Sequence, residues 1–517
     1  MRHTLTLLSN RPATRLLLLG IVLTASCADS TSPPGGGGGP GPIDTLPGPV
    51  DTIPLGETFA TYFGGGDDDI VRDLAVDAQG NVYMAGSTRS PNYPTTAGAF
   101  DGSFNQGSFP SDAFVTKLSP SGQILWSTFL GGPNYERVYG LEVDELGYVY
   151  VAGRAGPGFP VTSGALQTTF GGDIRPEAGY GLQDGFVCKL APDGGSVVFC
   201  TYFGNTDHVP IRDIAIDANH DIYIVSSLEV GTLPSSWFTN AFQKTIRGNR
   251  DGLVVKIKGD GSAVLWATFL GGSGLEGNTN SIQVDASGVY VNMFTHSSDL
   301  QTPNGFDHTL SGPTDIYAAK LSLDGSQLLY GTYVGGSGSE DTETHQLAVD
   351  AQGNAFVAVP TTSTDFPTTA NAYQRFWRGG QSDALVVKIS PSGQLAAATY
   401  VGGSGADGAE GIAVDGGGNV AFSGATDSPN FPKTGGPLGG IAGDMYAVLL
   451  SSDLSTLRFA NRLGGSGNDR GRAAAARGSV FVVGGQTNST NWPVLSAVQP
   501  SFSGVLDGTV VRYEGSP

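Results

Sequence analysis

Three observations predict an all-β chain folded as a seven-bladed β-propeller of four-stranded antiparallel blades. A strand ending in Gly-Gly, or a near variant, recurs seven times at nearly constant spacing, two turn signatures recur inside each interval, and a surplus strand at the front answers a missing one at the back. The recurring marks are Thr61-Tyr62-Phe63-Gly64-Gly65, Thr128-Phe129-Leu130-Gly131-Gly132, Thr201-Tyr202-Phe203-Gly204, Thr268-Phe269-Leu270-Gly271-Gly272, Thr332-Tyr333-Val334-Gly335-Gly336, Thr399-Tyr400-Val401-Gly402-Gly403 and Asn461-Arg462-Leu463-Gly464-Gly465. Their starts lie 67, 73, 67, 64, 67 and 62 residues apart. A repeat of this length is one supersecondary unit that must stack on its neighbours to bury its faces.

Within the first unit, Leu74-Ala75-Val76-Asp77 reads as a strand, Ala78-Gln79-Gly80-Asn81 as a turn and Val82-Tyr83-Met84-Ala85-Gly86 as the returning strand. Gly beside Asn supplies the positive φ of a tight hairpin connection. The pattern returns at Val143-Asp144-Glu145-Leu146-Gly147, Val349-Asp350-Ala351-Gln352-Gly353-Asn354 and Val414-Asp415-Gly416-Gly417-Gly418-Asn419. A longer loop precedes a third strand, Asp112 to Leu118; Ser119-Pro120-Ser121-Gly122 turns the chain, with Pro presetting φ. Ile124 to Leu130 is the fourth strand. Four strands per interval give a propeller blade. The seventh unit stops after its third strand, Asp507 to Tyr513, while a fourth-type strand, Glu57 to Phe63, stands unclaimed at the front. Closure of the ring by that N-terminal strand removes the open edge. The expected organisation is a leader over 1–26, a tether over 27–54 and the propeller over 55–517.

The motifs VDxxGNVY, DAFVxKLxPxG and STYxGG, the first two standing around Asp77 and Asp112 and the third as Ser127-Thr128-Phe129-Leu130-Gly131-Gly132, resemble the bacterial SBBP-type β-propeller repeat of exported and surface proteins. The resemblance runs over roughly residues 56–517 and implies a propeller outside the cytoplasm, usually with no established enzymatic role. The seventh unit departs most, since Ala473-Ala474-Ala475-Ala476 replaces the strand and loses its turn Asp.

Composition agrees with short strands and many turns: 79 Gly and 30 Pro beside a hydrophobic fraction of 39%. A net charge of −20 argues against nucleic acid, whose phosphates would be repelled, and permits cationic ligands, divalent metals or simple solubility. At the N-terminus Arg2, Arg11 and Arg15 precede the apolar run Leu16 to Leu23, too short to span a membrane. Leu23-Thr24-Ala25-Ser26-Cys27 resembles a lipoprotein cleavage site, which implies either lipidation of Cys27 and a membrane anchor or ordinary signal cleavage. Ala28 after Cys27 implies, by the same resemblance, outer-membrane sorting. The Gly- and Pro-rich run around Pro33 to Pro40 reads as a tether. Cys188 and Cys200 flank the turn Ala191-Pro192-Asp193-Gly194-Gly195; export leaves either a cross-strand disulfide or two small buried thiols.

Two series of acids recur. Asp69, Glu136, Glu276, Glu340, Asp407 and Asp469 stand five residues after the first Gly, with Asp207 the nearest acid in the third unit. Superposed, they ring one face and suit calcium or a basic ligand, or else each accepts backbone N–H groups in its own turn. The second series, Asp112, Asp184, Asp251, Asp315, Asp383, Asp444 and Asp507, opens each third strand and reads as scaffold. Pro94, Pro160, Pro234, Pro303, Pro367, Pro432 and Pro493 mark the second loops, with Tyr93, Phe159, Phe366, Phe431 and Trp492 before five of them. These aromatics read as loop anchors or as a stacking platform for sugar rings or a partner. Trp377, in Arg375-Phe376-Trp377-Arg378, is the strongest single contact candidate.

No GxSxG elbow, HExxH pair or phosphate-cradling loop occurs, and the histidines lack metal-ligand spacing. With five Trp and none recurring once per blade, a quinone cofactor is disfavoured. The sequence therefore reads as a monomeric, non-enzymatic binding or scaffold module for a protein, glycan or cation, with calcium the one cofactor in view. The alternatives are a polysaccharide lyase or glycosidase using acids at the channel mouth, and a purely structural envelope protein.

Overall fold

The computed structural model describes residues 49–52, 55–174, 176, 179–277, 280–341, 343, 345–434 and 443–515. The expected leader, Cys27 and the tether up to residue 48 lie outside the described residues. No helix among the described residues is long and apolar enough to cross a membrane.

Seven four-stranded antiparallel sheets form the blades, each running in chain order except the last. There Leu55–Phe63 takes the outer position beside Asp507–Gly515, followed inward by Val480–Thr487 and Asp469–Arg477. Thr61 pairs with Val510 and Phe63 with Gly508, so the front of the propeller completes its last blade as the strand count predicts. One boundary differs from expectation. Residues 49–51, assigned to the tether, run beside the outer strand Leu457–Leu463 of the sixth blade. Leu457 donates its N–H to the Pro49 carbonyl at 3.0 Å and accepts from Asp51 at 3.1 Å, while Arg458 pairs with Asp51 at 2.9 Å. An outer strand leaves such groups unpaired, and a nearby extended segment takes them.

The first strand of each blade lies innermost: Asp69–Val76, Arg137–Val143, Asp213–Ile216, Ser281–Asp285, Leu347–Val349, Asp407–Val414 and Asp469–Arg477, each packed against the first strands of its two neighbours. The middle strands are covered on both faces by adjacent blades, which is why they are apolar without alternation; Val82–Thr88 and Ile222–Leu228 are buried throughout. Between the seventh and first blades Phe59, Phe63, Val71, Leu74, Phe114, Phe129 and Val482 form one such inter-blade core.

The predicted turns have the expected chemistry. Gly80 sits at φ 77°, and Asp77 accepts the N–H groups of Gln79 and Asn81, both at 2.9 Å. Cys188 and Cys200 face each other across their hairpin, fully buried and joined at 2.00 Å. The closed loop is short, so Cys200→Ser is expected to lower unfolding free energy by about 2–3 kcal/mol in urea melts. An unchanged midpoint would show that the hairpin is constrained without the bridge.

Candidate functional site

The ringed acids are part of the frame. Asp69, Glu136, Asp207, Glu276, Glu340, Asp407 and Asp469 are each at most 1% exposed, and they turn into their own loops instead of toward a shared centre. Asp69 accepts the Gly65 N–H at 2.7 Å and the Ser90 hydroxyl at 2.8 Å. Asp407 accepts from Gly403 at 2.7 Å, Thr426 at 2.5 Å and Ser428 at 2.6 Å. Glu340, with Gly336, Thr361 and Ser363, and Asp469, with Gly465, Thr487 and Ser489, repeat the arrangement. Glu276 uses Gly272 and Thr295, Glu136 uses Gly132 and Gly156, and Asp207 accepts from Glu229 and Val230. The Gly-Gly mark has its cause here: a Cβ on Gly64 would lie 2.4 Å from Asp69 Oδ2, and one on Gly65 2.5 Å from Ser90 Cβ. Burial pushes Asp69 up to about 7 and Glu136 up to about 8, against the hydrogen bonds that pull both down. Apart from Asp69 Oδ1, which is enclosed without a partner, these oxygens are taken up by donors of the frame. Melting temperature is therefore expected to respond equally to calcium and magnesium at constant ionic strength; a calcium-specific rise would contradict the assignment.

The other candidates are structural too. In the second series, Asp112 accepts the Asn105 N–H at 2.9 Å, Asp315 that of Ser311 at 2.9 Å and Asp383 that of Arg378 at 3.0 Å, tying each third strand to the long loop before it. Tyr93, Phe159, Phe366, Phe431 and Trp492 are at most 5% exposed. Phe159, Phe366 and Trp492 donate their N–H groups to the hydroxyls of Tyr202, Tyr400 and Tyr62. Trp377 packs half-buried against the fifth-blade core with its Nε1 enclosed, so it anchors its loop instead of displaying a ring.

What remains is the channel. A bulge interrupts the first strand at Val71/Asp73, Val138/Gly140, Ala409/Gly411 and Gly471/Ala473 and swings one side chain per strand inward. The position two residues before Leu74, Leu141, Ile214, Ile282, Leu347, Ile412 and Ala474 holds Arg72, Tyr139, Arg212, Asn280, His345, Glu410 and Arg472. Five residue types occupy this position, with arginine in three blades. The next residue stitches blades together. Asp73 accepts the Leu141 N–H at 2.6 Å, Asp213 that of Ile282 at 2.9 Å, and Ser281 that of Gln346 at 3.0 Å; Gln346 donates to the Ala409 carbonyl at 2.7 Å. The second and sixth blades carry Gly140 and Gly411 instead, where a Cβ would meet Ile214 N at 2.9 Å and Ala473 Cα at 2.5 Å.

His345 crosses the channel. From the fifth blade its Nε2 reaches the Tyr139 carbonyl of the second, while Nδ1 lies 3.3 Å from Asp213 of the third and 3.6 Å from Asp73 of the first. Burial opposes its charge, but the two carboxylates outweigh burial and hold the ring up at about 9. The ligand-type atoms of this trio lie within 4.8 Å of one another, close enough for a metal ion. Each carboxylate, however, already accepts two backbone N–H groups, and the charged imidazole completes an ion pair.

His345 and its carboxylates separate two recesses. On the side of the first turns a cavity of ≈ 250 Å³ is lined by Asp73, Glu142, Asp213, His345 and Arg477, with Glu142 pushed up to about 8 by burial and by Asp73 and Asp213. On the side of the Gly-Gly links a recess of ≈ 410 Å³ is bordered by Asp341, Glu343, Glu410 and Arg470, beside an arginine-rich chamber. In that chamber Tyr139 lies 4.6 Å from the Arg212 guanidinium carbon, 5.7 Å from that of Arg154, 5.8 Å from that of Arg137 and 5.9 Å from that of Arg72. Burial raises its phenol, but the four arginines dominate and bring it down to about 6. The sequence pointed to acids at the channel mouth but did not single out the residues that line the channel, because no motif marks them.

Residues 58–94 match the family model described as SBBP: Beta-propeller repeat. No curated protein matches the chain. Similar solved structures include a protein of unknown function from Dyadobacter fermentans, 11% identical over 89% of this chain and 99% of that one, with a TM-score of 0.39. Quinohemoprotein alcohol dehydrogenase from Comamonas testosteroni is 9% identical over 90% of this chain and 77% of its own, at 0.43. The WD40 β-propeller domain of Doa1 is 11% identical over 89% and 98%, at 0.42. Likeness at this level carries no argument about ligand or reaction.

Proposed function

We propose that this chain, a seven-bladed β-propeller carrying the SBBP repeat, is an exported, lipid-anchored binding module that takes its ligand in the central channel. One observation carries the reading: within a ring of repeated blades one inward position holds five residue types across seven blades, from Arg72 and Tyr139 to His345 and Glu410. A frame position is repeated because its packing is repeated, whereas a ring of unlike polar groups suits an asymmetric ligand. The buried disulfide supports an oxidising compartment, and the sequence around Cys27 supports the anchor. Glycans and small metabolites screened by calorimetry against the wild type, Tyr139→Ala and Trp377→Ala test the reading. Loss of a bound ligand with Tyr139→Ala and retention with Trp377→Ala is the expected result. Loss with Trp377→Ala alone would move the site to the loops and overturn it.

One observation favours a second reading, an enzyme acting on polysaccharide. Burial holds Asp73 at about 7 and Glu142 at about 8 beside the ≈ 250 Å³ cavity, and two carboxyls of raised affinity for protons suit general acid–base work. Polysaccharide cleavage abolished by Glu142→Gln would establish it.

A further inference from the structure

On the reading of the channel as the binding site, we infer that its arginine chamber binds an oxyanion, a carboxylate or a phosphate- or sulfate-type group, with Arg72, Arg137 and Arg212 as the recognising residues.

The geometry is one of uncompensated positive charge. Five guanidinium groups, those of Arg72, Arg137, Arg212, Arg470 and Arg472, gather around Tyr139 and Glu343. Against them stand Glu343 and Glu410, both engaged, and the Tyr139 phenol, brought down to about 6. Glu410 pairs with Arg470 and, at 3.1 Å, with Arg472; Glu343 pairs with Arg470 at 3.2 Å. Asp73 and Asp213, also in the channel, belong to His345. Among the described residues no carboxylate lies within ion-pair distance of Arg72, Arg137 or Arg212, and the Nε of each is enclosed without a hydrogen-bond partner. Arg72 is 9% exposed and Arg212 7%.

A guanidinium does not escape burial by losing its proton, because its affinity for it is too high, so the charge stays and must be balanced. Burial, with the neighbouring charges of Arg472 and Arg137, pushes Arg72 below its usual value. The protein does not lack acids: 47 Asp and Glu face 27 Lys and Arg over the whole chain. The first-strand position of the sixth blade even places Glu410 in this ring. Arginine at the equivalent positions of the first and third blades therefore leaves an opening for charge from outside the chain. Forked donors gathered around one ring suit a planar or tetrahedral oxyanion, which accepts two bonds from a fork. A free inorganic anion and the carboxylate of an acidic sugar present the same chemistry to these donors.

The test is a set of thermal melts of the purified full chain in chloride buffer, with inorganic phosphate, sulfate, galacturonate or galactose added at constant ionic strength. The expected result is a rise of about 3 °C or more with at least one anion and none with galactose. Phosphate or sulfate alone would identify a free oxyanion; galacturonate alone would identify a sugar acid. The paired variant Arg72→Met with Arg212→Met is expected to melt at or above the unliganded wild type, since it removes unbalanced buried charge, and to lose the anion response. An unchanged response in that variant would show anion binding elsewhere and overturn the inference. A flat response of the wild type to every anion would also overturn it. A ligand found by the calorimetric screen that is uncharged and needs Tyr139, or an equal rise with galactose, would refute anion recognition while leaving the channel as the binding site.

Discussion

Removal of Leu55–Phe63 is expected to abolish the native fold. That strand covers the outer edge of the seventh blade along Asp507–Gly515. It buries Phe59, Ala60, Tyr62 and Phe63, none more than 1% exposed. Tyr62 also donates to the Ser489 carbonyl at 2.8 Å and accepts the Trp492 N–H at 2.7 Å, fastening the seventh blade's long loop. Three large side chains at about 2 kcal/mol each, with the backbone ladder added, reach the whole stability of an ordinary domain. Circular dichroism and size exclusion of the deleted chain should show a non-cooperative, aggregating species. A monomer with a cooperative melt close to the wild type would mean that the ring holds without its closing strand. Phe59→Ala should be milder, at about 3–5 kcal/mol.

The second large effect is expected at His345. Replacing it with Ala leaves Asp73 and Asp213 facing each other across the channel without their cation, and breaking a buried pair on one side costs about 3–5 kcal/mol. The loss should reappear as a pH effect of definite sign. His345 is held at about 9, above its unfolded value, so its contribution is complete below about 6.5 and disappears as pH rises through 9. Asp69, Asp112 and Asp383 are raised to about 7 and Glu136 to about 8, chiefly by burial. Unfolded carboxyls ionise near pH 4, so between there and 8 the native state holds protons that the unfolded chain has released. Stability then falls with rising pH, in the same direction as for the histidine. Asp77, Asp217 and Asp285 are lowered despite burial, by bonds to Asn81, Lys256 and Ser287 first, and they lose stability only as pH falls toward the acid range. Tm is therefore expected to peak near pH 5 and to drop by more than about 5 °C by pH 9. His345→Ala should flatten the upper part of that fall. A Tm that climbs from pH 5 to 8 would contradict the burial of these carboxyls.

The ring and its closure were legible because both depend on chain-local chemistry: Gly80 and Gly122 at positive φ, the paired glycines, and a strand surplus at one end equal to the deficit at the other. The acids were legible as a series but not in their role, which is set by partners some twenty residues away. A signal for that role stands in the sequence: Thr88 and Ser90, Thr295 and Ser297, Thr361 and Ser363, Thr426 and Ser428, Thr487 and Ser489 recur just after the second strand, and most of these hydroxyls face the acids. The channel was not legible in the same way. A bulge inserts one residue into the first strand, so strict alternation does not assign Arg72 or Glu410 its direction. In the third and fifth blades the first strand shrinks to Asp213–Ile216 and Leu347–Val349, too short to show any period. His345 gave no sign of its three partners, because they lie on three other blades.

The most direct measurement is anomalous diffraction from crystals of the propeller soaked in selenate, a sulfate analogue whose scattering identifies itself. The oxyanion inference predicts a peak within hydrogen-bond distance of Arg72 and Arg212, beside the Tyr139 ring. Peaks confined to surface lysines and loop amides, with no density between those guanidinium groups, would contradict it.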